Sequence, residues 1–304
     1  MRGRLGSTCK VVGLGIVAAV YRGDGGLAAD WCARRLVFVG NADGYWDLFI
    51  ASDSHEGVVG MSRTTDDKNG PSWSNSGGRI AYSSGDGALR IIEVQTKKEQ
   101  KLCVGGKGVR NSSASFSPDD RKIVYVRFRP EARDDSELAI FDLEKSTHTP
   151  FLDQYGSQLF PDWSPDGKQI VYTSAHCGME CGRIIQELWV ADVNGKSARQ
   201  LLMTNSHCTH PVWSPDGKKI AFSSDKTGGF DIWILTLEGG RLEQLTNDAA
   251  LDTSPAWSPN GQRLAFISDR TGKLRIWIRD LRTGEETMFF LFHDEAVECR
   301  DVTW

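Results

Sequence analysis

The sequence predicts an all-β fold: a six-bladed β-propeller of four-stranded antiparallel blades, with the ring closed by the C-terminal strand. Three observations carry this. A unit of between 40 and 50 residues recurs along the chain. Each copy alternates short apolar runs with turns rich in Gly, Pro, Asn and Asp. The first copy lacks one strand, and the last residues of the chain supply it.

The clearest copy spans residues 211–246, PVWSPDGKKIAFSSDKTGGFDIWILTLEGGRLEQLT. Residues 211–214 form a short first strand. Ser-Pro-Asp-Gly follows as a turn, with Pro215 presetting φ and Gly217 able to take a positive one. Residues 219–223 (KIAFS) are the second strand, 225–229 a polar loop and 231–237 (DIWILTL) the third strand. A turn at 238–240 leads into the fourth, 241–246. One such sheet has two apolar faces and buries them only by stacking on other copies.

The first-strand aromatic recurs at Trp73, Phe116, Trp163, Trp213, Trp257 and Trp304, at spacings of 43, 47, 50, 44 and 47 residues. Its expected role is to fill the core between blades. In the first copy, 35–39 (RLVFV) reads as a second strand, 47–51 as a third and 58–62 as a fourth. The missing first strand is 301–304, so the ends meet in one sheet and the ring has no open edge. Acids recur where third strands begin, at Asp47, Glu137, Glu187 and Asp231. One recurring blade position predicts a structural hydrogen-bonding role. Loops such as 41–44 and 225–231 read as strand connections, without the spaced carboxylates of a calcium loop.

The chain has 304 residues, 39% hydrophobic and 25% charged, enough for a large core. A net charge of −4, with basic residues scattered beside turns, argues against a nucleic-acid partner. Arg2, Arg4 and Lys10 precede an apolar run, residues 11–20, which is too short to span a bilayer. Small residues follow, with Leu27-Ala28-Ala29 as a cleavage site. Residues 1–29 therefore read as an export signal peptide, and the propeller, 33–304, as periplasmic or secreted. An organelle transit peptide is the competing reading, since no acid precedes Asp24.

The pattern W-S-P-D-G-K-x-I-A-F-x-S, then G-x-x-D-I-W, then Q-L-T, resembles the TolB-type propeller repeat. The copies at Trp163, Trp213 and Trp257 match closely, and those at Trp73 and Phe116 more loosely. The resemblance covers residues 33–304. It implies the fold, a periplasmic setting and protein binding. It does not extend to the N-terminal α/β domain of TolB, so a direct role in the Tol system is not implied. Related propellers are fused to peptidases, but the chain has no G-x-S-x-G motif.

Loops entering the first strands ring the channel on one face of such a fold. The residues five before each aromatic, Lys68, Asn111, Gln158, Cys208, Asp252 and Cys299, are the candidate channel-mouth binding residues. Two segments expected on that face concentrate soft ligands: His176, Cys177 and Cys181 in one, His207, Cys208 and His210 in the other. Two readings stand. In an exported protein Cys208 pairs with Cys177 or Cys181, and Cys32 with Cys299. Alternatively the cluster holds a divalent metal, the one cofactor the residues offer, since tetrahedral zinc takes about four such ligands. The expected function is a non-enzymatic binding scaffold for a protein or peptide partner. The alternative is a channel-mouth enzyme, a metal-assisted lyase or hydrolase acting on a sugar-derived substrate.

Overall fold

The computed structural model describes residues 35–41, 44–52, 58–62, 64–102, 108–128, 136–152, 154–177, 184–289 and 297–304. The expected signal peptide and Cys32, Cys103 and Cys181 lie outside them, as do the side chains of His176 and Cys177. Among the described residues, no helix is long and apolar enough to cross a membrane.

The strands form six four-stranded antiparallel sheets. Blade five shows the plan: Cys208–Trp213 innermost, then Lys219–Ser224, Asp231–Thr236 and Arg241–Gln244. The turn before its outer strand is one turn of 3-10 helix, Glu238–Gly240. Blade one is assembled from both ends of the described chain. Glu298–Thr303 pairs with Arg35–Asn41, followed by Trp46–Ser52 and Val58–Gly60. The inner strands of successive blades touch all the way round, the sixth reaching the first.

The repeated motifs are hydrogen-bonding devices. In blade five, Ser214 Oγ donates to Asp216 Oδ1 (2.6 Å) and accepts from the Lys219 amide (2.9 Å), while Asp216 accepts from the Lys218 amide (3.0 Å). The hydroxyl contact recurs at Ser117–Asp119, Ser164–Asp166 and Ser258–Asn260. Gly217 closes the turn at φ +68°, a left-handed position that favours glycine. Asp47 and Glu187 tie their blade to the loop leading into the next, and Asp231 holds the outer strand and a loop of its own blade. Asp47 accepts from Ser62 Oγ (2.7 Å), Glu187 from Thr204 Oγ1 (3.0 Å), and Asp231 from Gln244 Nε2 (3.0 Å) and Thr227 Oγ1 (2.8 Å). Glu137 instead pairs with Arg127 (3.3 Å).

Six apolar clusters fill the six gaps between blades, and each receives one first-strand aromatic. Trp213 packs with Val171, Leu188 and Val190 of blade four, and Trp163 with Val124, Val126 and Leu138 of blade three. Phe116 and Trp257 do the same one blade back, and Trp73 packs against Val37, Val39 and Leu48. Trp304 lies against the cluster that joins Leu36 and Phe38 of blade one to Ala265, Ile267 and Ile276 of blade six.

Closure is thus both a hydrogen-bond ladder and a core. Deleting residues 301–304 is expected to abolish cooperative thermal unfolding. Trp304→Ala keeps the ladder, empties one packing site and is expected to cost about 3 kcal/mol. Scanning calorimetry reads both.

Candidate functional site: the central channel

The inner strands enclose a central channel of about 900 Å³. Its wall is built from one irregularity repeated in every blade. Three residues before the aromatic, the backbone turns left-handed: Gly70, Ser113, Phe160, His210, Ser254 and Asp301, with φ between +49° and +54°. At each of these points the inner strand slips register against the second strand. These are β-bulges, one extra residue in the inner strand. In five blades the bulge faces a buried ring of the second strand, Tyr82, Tyr125, Tyr172, Phe222 or Phe266. Pro71, Pro161, Pro211 and Pro255 directly follow four of the bulge residues. Proline has no N–H to give a ladder and is tolerated at bulges.

All six bulge residues line the channel. The rings of Phe160 and His210 lie with centroids 4.0 Å apart, tilted by 36°. Burial pulls the His210 pKa below its ordinary value against the opposing attraction of Asp301, so the imidazole is neutral at pH 7. Its Nδ1 has no hydrogen-bond partner. One Asp301 oxygen accepts from the Gly70 amide (3.1 Å), joining blades one and two across the ring closure.

Lower on the wall, Asp162 bridges blades. It accepts from Ser115 Oγ of blade three and from the Trp213 amide of blade five, both at 2.9 Å. Burial dominates these contacts and pushes its pKa up to about 6. Serines serve that position elsewhere: Ser72 accepts from the Phe116 amide and Ser115 from the Trp163 amide, both at 3.4 Å.

The residues expected at the channel mouth lie two positions earlier, buried and engaged locally rather than in the channel wall. Lys68 Nζ donates to Thr64 Oγ1 (2.6 Å) and to the Asp66 carbonyl. Asn111 Nδ2 donates to the Gly87 carbonyl (2.9 Å), and Gln158 Nε2 to the Gln154 carbonyl (3.1 Å). Asp252 is 3.0 Å from Arg270, which also holds Asp248 and Glu286. Cys208 and Cys299 are unbridged thiols in inter-blade clusters. Desolvation raises their pKa to about 11 and about 12, so both stay protonated and unreactive at neutral pH. Among the described residues Cys208 and Cys299 are therefore thiols in apolar gaps, and the partners expected for them, Cys177, Cys181 and Cys32, lie outside the described side chains.

Of the soft-ligand candidates, the side chains of His176, Cys177 and Cys181 lie outside the described residues, and the other three point to different places. His210 lines the channel, Cys208 lies between blades four and five, and the His207 amide donates to Asp225 (2.7 Å). Among the described residues, no three His, Cys, Asp or Glu side chains converge as metal ligands. The bulge ring escaped the sequence reading because its six residues share no chemistry. The prolines inside four predicted strands were the available signal.

Residues 179–295 match the family model described as the TolB beta propeller domain. The fold is the TolB-type six-bladed propeller. TolB from Acinetobacter baumannii aligns at 22% identity over 90% of this chain and 67% of its own, with a TM-score of 0.77. A putative TolB from Agrobacterium tumefaciens aligns at 19% over 84% and 88%, with a TM-score of 0.68. An oligogalacturonate lyase from Vibrio parahaemolyticus shares the TolB-type architecture at 15% identity over 84% and 74%, with a TM-score of 0.59. At these identities the likeness is one of fold.

Asp162 sets a pH dependence. Its folded pKa lies above the unfolded value of 3.8, so the folded state binds the proton more tightly. Its contribution is fully favourable below pH 3.8 and is lost as pH rises through about 6. Relative to Asp162→Asn, the wild type is expected to lose about 2 kcal/mol between pH 4 and pH 7, part of the full shift being screened by channel water. Urea midpoints of the two proteins at both pH values check this.

Proposed function

We propose that this propeller is a non-enzymatic binding scaffold that works outside the cytoplasm and receives an extended segment of a protein partner in its channel. The observation that carries the reading is the channel wall. Six hydrogen-bonded inner strands hold prolines and aromatic rings around a cavity of about 900 Å³. Such a wall is preformed, so little ordering cost falls on the scaffold when a peptide enters. The TolB-type fold and the export signal read in the sequence support the same setting.

The test is affinity capture from cell-envelope extract with the wild type and with Ser113→Phe. Phe160 shows that a bulge position accepts a bulky ring in the left-handed conformation, so this variant is expected to fold and to narrow the channel. A stoichiometric protein partner captured by the wild type and lost with Ser113→Phe is the expected outcome. Capture of no partner, or equal capture by both, defeats the reading.

The second reading, a metal-assisted lyase or hydrolase acting on a sugar-derived substrate, draws on the shared fold with oligogalacturonate lyase and on neutral His210 in the channel wall. Eliminative cleavage of an oligogalacturonide, abolished in His210→Ala, would favour it.

A further inference from the structure

The charges of the channel point to what enters it. Its lining contains two formally charged side chains, Asp162 and Asp301, and among the described residues no Lys, Arg or Glu lines it. Blades one and four stand opposite each other in a six-membered ring, so the two acids sit on facing walls. They are staggered, Asp301 at the bulge level and Asp162 two residues nearer the turn end. The remaining wall is aromatic rings, prolines and small side chains. His210, kept neutral by burial, adds no opposing charge. An aromatic wall with carboxylates at two depths attracts an organic cation, because ring faces and carboxylates both stabilise positive charge. The chain already uses two of these rings so. Arg79 lies over Phe116 at 5.4 Å and Arg263 over Trp304 at 4.7 Å.

We infer that the channel selects a basic side chain: the partner segment inserts an Arg or Lys, whose cationic head lies between the Asp162 and Asp301 walls with its stem along Phe160 and the inner-strand tryptophans. The inference rests on the scaffold reading above and adds the chemistry of the inserted residue. It also excludes acidic segments, which would bring like charge against both carboxylates.

The probes are three capped tripeptides, acetyl-Gly-Arg-Gly-amide, the same peptide with citrulline for Arg, and the same with Glu, titrated calorimetrically into the full chain. Citrulline keeps the shape and removes the charge. The Arg peptide is expected to bind at least about tenfold more tightly than the citrulline peptide, the scale of one desolvated cation–ring or ion-pair contact. The Glu peptide is expected to bind weakest. In Asp162→Asn/Asp301→Asn the Arg advantage is expected to vanish. Equal binding of the Arg and citrulline peptides, tighter binding of the Glu peptide, an advantage that survives the double substitution, or no measurable binding of any probe overturns the assignment. The probe comparison needs no variant, so a double variant that fails to fold leaves the inference testable. A partner captured in a channel-dependent way, together with equal Arg and citrulline binding, removes the cation assignment alone. Absence of any such partner removes the scaffold reading itself.

Discussion

Everything else in this molecule depends on the pairing of Glu298–Thr303 with Arg35–Asn41. A row of stacked sheets leaves two apolar end faces, and only meeting ends bury both. The joining strand also completes the channel. It places Asp301 in the bulge ring, bonded to Gly70. It carries Arg300, which donates to the Lys68 carbonyl (3.1 Å) and lies 4.1 Å over the Trp46 ring. Strand pairing, inter-blade packing and site formation are one event at this seam.

The channel reads as a consequence of a packing problem. Six inner strands converge on one axis, and each meets it with a bulge at the same level. A left-handed conformation costs a non-glycine residue about 1 kcal/mol or more. Five of the six bulges carry such a residue, Phe160 and His210 among them. The buried second-strand rings opposite the bulges and the prolines beside them hold the distortion in place. The reward is five side chains delivered to a narrow ring by rigid strands, a better platform for selecting a ligand than loops of similar length.

Legibility in the sequence followed range. The Ser-Pro-Asp-Gly turn closes through bonds within five residues, as from Ser214 to Asp216 and Lys219, so one copy reveals it and repetition confirms it. The third-strand acids were readable by recurrence at one blade position, although Asp47 and Glu187 bond 15 and 17 residues further on. Channel-facing residues were counted from the aromatic as if the strand were regular. The bulge breaks the two-residue alternation, so Cys208 is buried between blades while His210, two positions on, lines the channel.

By itself the sequence determined the number of blades, the strand that closes the ring and the hydrogen-bonding role of the recurring third-strand acids. These depend on periodicity and on contacts within one copy. Only the tertiary structure decided which six residues meet at the axis, that the channel lining carries two carboxylates and no Lys or Arg among the described residues, and that Cys208 and Cys299 pack into apolar gaps. Those facts arise between residues brought together from different blades, and no spacing along the chain encodes where a bulge turns a side chain.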